Sequence, residues 1–416
     1  MRGRRDRRRR RAAATSAVLL FPLLALGLVG VWVATRPATT PLLATIHLPL
    51  DPRAKVDAAL DVRRHHLFLV NAGVVWTIDT RTGSVVRVVH NGTAYTQAMG
   101  GPAPALDART GRLYVPNLVD DTLAVLDAAT GRVQRVLSIG HQPDELAVDD
   151  RAGRVFVGST ADWTLTTLDA RTNRTLSTQP FAAGDLPGQL ALDPQGGRGI
   201  AAGYGGQVTL FDTRTGRLLC GAVPDHGHLI EGLTVDAPAR RVLGLVENEP
   251  TVVLLDAHTG APLRIVPVGQ NPTALALDPA TDRAFVADGS DGAVSVLDVR
   301  RGRVLRRVLV GPAPVLAVDT QRGRVVVASA TGLSLLDARS GHLLRRWPVA
   351  LRPAALLVDA RAGHILLVET GRTERRPTPW TWLRRLLRQW VPSLAPPHTD
   401  WRVIPARLLV LREDHL

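Results

Sequence analysis

Beyond residue 42 the chain is written in short apolar runs of four to seven residues, such as RVFVGS, TVVLLD and RVVVAS. These runs are rich in β-branched residues and bounded by Asp and Gly, and they show no 3.6-residue period, so they predict strands and not helices. The punctuation repeats. Turns of the form D-x-x-x-G-R recur at Asp79, Asp127, Asp169, Asp212, Asp256, Asp298 and Asp337, spaced 39 to 48 residues apart. A second series, Asp61, Asp107, Asp149, Asp193, Asp236, Asp278, Asp319 and Asp359, marks another turn in each unit. The Asp carboxylate can accept from backbone N–H groups of such a turn, and Gly takes the left-handed position that lets the strands pair. Asn173 replaces that Gly in DARTNR, and asparagine tolerates the same backbone region. Four strands in each unit of about 42 residues predict an all-β fold, a β-propeller of four-stranded blades, with a solenoid as the competing architecture.

Eight inner-strand phrases can be counted: AALDV, APALDA, ELAVD, QLALD, GLTVD, ALALD, VLAVD and ALLVD. Seven units have an outer strand after their second turn, but the eighth, from Leu351, ends at ARLLVLRE (406–413) without one. The stretch LLATIHLPL (42–50) is similar to an outer strand such as PLRIVPV (262–268) and is expected to complete the last blade. That closure would lock both ends of the chain into one sheet and remove an open edge. Eight blades is the favoured count, with seven as the alternative if an end unit is degenerate.

The unit LYVPNLVDDTLAVLDAATGRVQRVLSIGHQP (113–143) resembles the YVTN-type repeat of YncE-like extracytoplasmic β-propellers. The resemblance covers residues 43–416, and its turns and G-x-x-P linkers recur in most units. The Tyr-Val-x-Asn stretch itself occurs only at Tyr114 to Asn117; other units read FVGS, FVAD or VVAS. The resemblance implies a propeller outside the cytoplasm. It implies no single activity, because such proteins include binding and surface proteins of diverse role.

The front of the chain is different. A basic tail, 1–15, precedes the uncharged run SAVLLFPLLALGLVGVWVA, 16–34. That run is close to the ~20 residues a membrane-crossing helix needs. Arginines before it should stay cytoplasmic, which places the rest of the chain outside. A cleaved signal peptide is the competing reading, but the run exceeds the ~7–15 residues of a usual signal core. The expected organisation is therefore tail 1–15, transmembrane signal anchor 16–34, linker 35–42 and propeller 43–416, with a helical insertion at 372–400. The expected location is a single-pass protein of the cell membrane, N-terminus cytoplasmic and propeller extracytoplasmic.

The net charge of +14 raises the question of nucleic acid, and its distribution answers it. Residues 2 to 11 carry +7 and the segment 372 to 388 carries +5, so about +2 remains for everything else. A near-neutral body argues against binding nucleic acid. Cys220 is the single cysteine, so no intrachain disulfide and no thiolate metal cluster is possible.

In a propeller of this connectivity the blade-to-blade linkers and the loops between second and third strands share one rim. That rim should hold His141, Asn271, Asp288 and the segment PDHGHLIEG (224–232), with Asp225, His226, His228 and Glu231. A His-x-His pair with carboxylates suits a metal, yet a solvated polar loop accounts for it as well, and neither metal nor cofactor is assigned. No nucleophile motif, phosphate loop or haem-attachment sequence is present. The expected function is a binding or scaffold role through the rim, in a monomer that takes a protein partner or a small ligand. The alternative is a propeller enzyme of the lyase or dehydrogenase kind, with rim His and acidic residues in its site.

One segment breaks the pattern. PWTWLRRLLRQW (379–390) places Trp380, Leu383, Leu387 and Trp390 on a helical stripe, with Trp382 nearby and arginines mostly opposite. It is read as a helix that braces the rim, or docks a protein partner, or lies on an anionic membrane.

Overall fold

The computed structural model describes residues 42–93, 103–182, 187–203, 205–222, 229–375 and 401–413. The run 16–34, the residues Asp225, His226 and His228, and the insertion residues Trp380, Trp382, Leu383, Leu387 and Trp390 lie outside the described residues. Among the described residues no helix is long and apolar enough to cross a membrane.

The propeller has eight four-stranded antiparallel sheets. Numbered in chain order, blades 1 to 7 occupy 57–90, 105–138, 143–180, 187–222, 230–267, 272–309 and 315–348, each built of consecutive strands from inner to outer. The burial of the strands explains the sequence pattern. Second strands such as Arg154–Ser159 are buried from Val155 onward, because neighbouring blades cover both faces of each sheet. They read as unbroken apolar runs. Outer strands such as Arg303–Leu309 alternate between exposed and half-buried positions. The core lies between blades: Phe156 of blade 3 meets Phe211 of blade 4 with ring centroids 4.9 Å apart. A Cβ at Gly199 would strike the Phe211 ring, so this close packing requires glycine there.

Both aspartate series cap turns on one face of the ring. Asp127 accepts from the N–H groups of Ala129 (3.1 Å) and Thr130 (2.8 Å). The turn glycine meets two demands at once. Gly216 sits at φ +75°, and a Cβ there would also collide with Thr167 of the preceding blade. Asn173 occupies the same kind of position at φ 58°. The first residue of the second strand fastens the next blade. Arg154 donates to the Arg214 carbonyl (3.1 Å), Arg241 to the Val299 carbonyl (2.7 Å) and Arg283 to the Arg339 carbonyl (3.1 Å). The repeated Asp and Arg residues are thus turn and inter-blade architecture.

Blade 8 is closed by the start of the chain. Its order from the channel outward is Pro353–Asp359, His364–Glu369, Ala406–Arg412 and Leu42–Leu48. The outer pair runs in register from Ala44 opposite Val410 to Leu48 opposite Ala406, with a bulge before it that sets Leu42 opposite Leu411. Ile46 and Leu48, with Leu408 and Val410, form one core with Leu67, Leu69, Trp76 and Ile78 of blade 1. Leu42 lies at the turn-face end of this strand. The loop-face end of the blade continues into a two-stranded ribbon, Arg372–Arg375 against Trp401–Ile404. Pro405, which lacks an N–H, divides the ribbon strand from the blade strand Ala406–Arg412.

Histidines replace arginines at the seam between blades 8 and 1. His364 Nδ1 lies 3.0 Å from the Thr80 carbonyl, and the fully buried Asp359 carboxylate holds His65 Nδ1 and Thr80 Oγ1, each at 2.9 Å. Asp359→Ala removes the carboxylate partner of His65 Nδ1 and leaves Thr80 Oγ1 only the His65 carbonyl (3.1 Å), and is expected to cost about 2–3 kcal/mol of stability. Urea denaturation of the variant measures this, and a loss no greater than that of the solvent-facing turn variant Asp79→Ala would show that the seam has no special role.

Candidate functional site

The loop-bearing rim is held by its own polar groups. In blades 1, 2, 6, 7 and 8 the last residue of the second strand, Asn71, Asn117, Asp288, Ser329 or Glu369, ties the preceding linker to the blade through its side chain. Asn71 accepts from Asp51 N–H (2.7 Å) and donates to the carbonyls of Ala54 and Lys55 (both 3.1 Å). Asn117, the last residue of the Tyr-Val-x-Asn stretch, donates to the Asn91 carbonyl (2.7 Å), while Tyr114 Oη donates to the Ala170 carbonyl of blade 3 (3.0 Å). Asp288 belongs to this series. It is wholly buried and accepts from Gly269 N–H (3.0 Å) and Ser295 Oγ (2.7 Å), and burial raises its carboxyl above the usual range. Asn271 is an exposed linker residue at φ 53° whose carbonyl accepts from Gly289 N–H (2.8 Å).

His141 is exposed on the rim, in the linker from blade 2 to blade 3. Its ring Nδ1 lies 2.7 Å from Asp121 and its N–H donates to Asp162 (2.7 Å). The Asp121 carboxylate, then Asp162, holds the imidazole above its ordinary value. Among the sequence-derived candidates, Asn271 and Asp288 therefore share the junction of blades 5 and 6, while His141 lies apart in the linker between blades 2 and 3. Glu231 is elsewhere, on the inner strand Ile230–Asp236. Among the described residues no group of three His, Cys, Asp or Glu side chains is arranged to hold a metal ion.

Glu231 leads into the central channel, which rim-based reasoning overlooks. The free edge of every innermost strand faces this channel, and its N–H groups need acceptors from outside the sheet. Blades 3 and 4 supply them to their neighbours. Glu145 Oε2 accepts from Leu190 N–H (3.3 Å) and Gln189 Oε1 from Leu233 N–H (3.0 Å). Glu145 and Gln189 stand four residues before the turn aspartates Asp149 and Asp193. The same position holds Asp57 in blade 1, Gly232 in blade 5, and Ala274, Val315 and Ala355 in blades 6 to 8. One residue earlier come Asp144 and Glu231. Inner strands run from the loop face to the turn face, so these residues lie at the loop-face mouth of the channel. Lys55, the chain's single lysine, joins them with Nζ 2.9 Å from Asp57.

The mouth is electrically one-sided, with acids on blades 1, 3 and 5 and small apolar residues on blades 6 to 8. Burial pushes the Glu145 carboxyl up to about 8; Asp144 adds to the shift, and the Leu190 N–H and Lys55 oppose it. Burial pushes Asp144 up to about 7, and its Oδ1 has no hydrogen-bond partner among the described residues. Asp57 is raised by burial against the pull of Lys55, and Glu231 by burial and then by Glu247. Displaced carboxyls grouped in a cleft mark a candidate functional site. Such a mouth can take a cationic or hydrogen-bonding group on its acidic side while its apolar side excludes water. The signal was present in the repeat: ELAVD and QLALD carry a polar residue where ALALD, VLAVD and ALLVD carry Ala or Val.

Eight four-stranded blades around a channel define this chain as a β-propeller protein. No family model matches the sequence, and no curated protein matches it. Solved structures resemble it in fold. A dihydro-heme d1 dehydrogenase, NirN, in complex with DHE aligns with a TM-score of 0.60 at 12% identity, over 71% of this chain and 66% of that one. BamB from Moraxella catarrhalis aligns at 0.58 with 16% identity, over 79% of this chain and 94% of that one. Kuenenia stuttgartiensis hydrazine synthase aligns at 0.54 with 15% identity, over 70% and 97%. Proteins named as enzymes and a protein with no enzyme name share the fold, so the fold alone assigns no activity.

Proposed function

We propose that this chain is a membrane-anchored, extracytoplasmic propeller of the YVTN/YncE-like kind. Its role is non-enzymatic binding or scaffolding, performed by the loop-bearing rim and the channel mouth that opens onto it. The observation that carries the reading is the acidic half-ring of Asp57, Asp144, Glu145 and Glu231 at that mouth. Those carboxyls cost stability in a closed ring, and a partner bearing a cationic group would offset that cost. The partner is a protein or a small ligand of that character, and no nucleic acid is invoked. Anchoring rests on the uncharged run 16–34 behind an arginine cluster.

The test is capture of envelope partners on the full-length chain, compared with the Glu145→Gln/Glu231→Gln variant. The variant is expected to lose about tenfold or more in affinity, since a cationic group entering the mouth draws the Glu145 and Glu231 carboxyls into their charged forms and glutamine cannot follow. Equal capture by both proteins would overturn a role for the mouth. A C-terminal alkaline phosphatase fusion reads the orientation, and an inactive fusion would count against an extracytoplasmic propeller.

A further inference from the structure

The outer strands are not alike around the ring. Those of blades 5, 6 and 7, Pro262–Pro267, Arg303–Leu309 and Leu343–Pro348, carry six arginines and no acidic residue. Those of blades 2, 3 and 4, Val133–Ser138, Thr175–Pro180 and Leu218–Ala222, carry one, Arg135. Between the arginines stand exposed aliphatic side chains: Leu263, Ile265, Leu309 (72% exposed) and Leu344 (53% exposed).

The arginines run across blade boundaries and not only outward. The Arg264 side chain lies against Gly302 of blade 6, Arg306 lies against His342 of blade 7 (Nη1 to Nδ1 3.0 Å), and Arg346 donates back to the Leu309 carbonyl. Arg345 stacks 4.8 Å above the Trp347 ring. Arg307 is held by Asp291 at the rim end. The result is one continuous lateral belt, basic and apolar together. An interleaved arginine and leucine surface complements anionic phosphates with an acyl layer behind them.

The path of the chain points the same way. It joins the propeller at Leu42, on the outer strand of blade 8, beside blade 7 in the ring. Under the anchoring reading above, on which this inference rests, only residues 35–41 separate the membrane run from Leu42. Seven residues reach at most about 25 Å. We infer that the lateral face of blades 5 to 7 lies on the anionic headgroup surface of the anchoring membrane, so that the propeller rests on its side. The channel axis then runs along the membrane, and both mouths stay open to partners.

The test uses the full-length chain with vesicles of phosphatidylcholine alone or of phosphatidylcholine with phosphatidylglycerol. Co-flotation with the neutral vesicles reads the anchor. Amide exchange in Arg303–Leu309 and Leu343–Pro348 reads the lateral face, and slower exchange is expected with anionic vesicles only. Arg303→Gln/Arg345→Gln should reduce the ratio of docked to free propeller about fivefold for each arginine removed. Arg303→Lys/Arg345→Lys, which keeps the charge, should retain most of it. Raised salt should also release the face. Equal exchange in the two lipids overturns the inference, whether or not the chain floats with neutral vesicles.

Discussion

A chain lacking Leu42–Leu48 is expected to lose its cooperative melting transition. The strand is short, but Ile46 and Leu48 are fully buried between blades 8 and 1. Loss of two such side chains costs about 4–10 kcal/mol by core-truncation experience, which is comparable to the whole stability of a typical protein. The deletion also uncovers the long apolar edge Ala406–Arg412, a template for aggregation. Ile46→Asp is the graded version and should destabilise severely by burying an unpaired charge. Scanning calorimetry measures both. A truncated chain that melts as sharply, and at the same temperature, would show that blade 8 does not depend on the N-terminal strand.

Glu145→Gln should make the protein more stable at alkaline pH and flatten its pH profile. The folded-state carboxyl titrates near 8, above the ordinary value near 4.3. A raised acid binds its proton more tightly in the folded chain. Its contribution is fully present below about pH 4.3 and is lost as pH rises through about 8. Glutamine has no proton to lose and can still accept from the Leu190 N–H. Part of the Glu145 side chain faces channel water, which reduces the full shift to a gain on the order of 2–3 kcal/mol above pH 8. The measurement is the midpoint of urea unfolding at acid and alkaline pH for both proteins. A wild-type profile that does not fall between those limits, or a variant profile that falls equally, would remove Glu145 as a titrating channel group.

Most of the architecture was legible because it is written in repeated local chemistry. The strand runs, the Asp and Gly turns and the count of inner-strand phrases each follow from nearest-neighbour rules, and a propeller repeats them eight times. The outer-strand character of LLATIHL was legible too, since it matched the repeat without belonging to a unit. The site was less so. His141, Asn271 and Asp288 were expected at the rim, and they sit there. What their polar groups bind is decided by linkers and loops about 20 residues away in sequence, as with Asp288 and Gly269.

The sequence by itself determined the all-β class, the blade repeat, the turn roles of the Asp and Gly residues and the order in which the ring closes. Strand and turn preferences act over a few residues, and the hydrophobic pattern records them directly. Only the tertiary structure decided which polar residues meet. Asp57, Glu145 and Glu231 come from blades 1, 3 and 5, far apart in the chain, and share one channel mouth because ring closure turns every inner strand toward the same axis. The same closure places the arginines of three outer strands in one lateral belt, a juxtaposition that no window of the sequence contains.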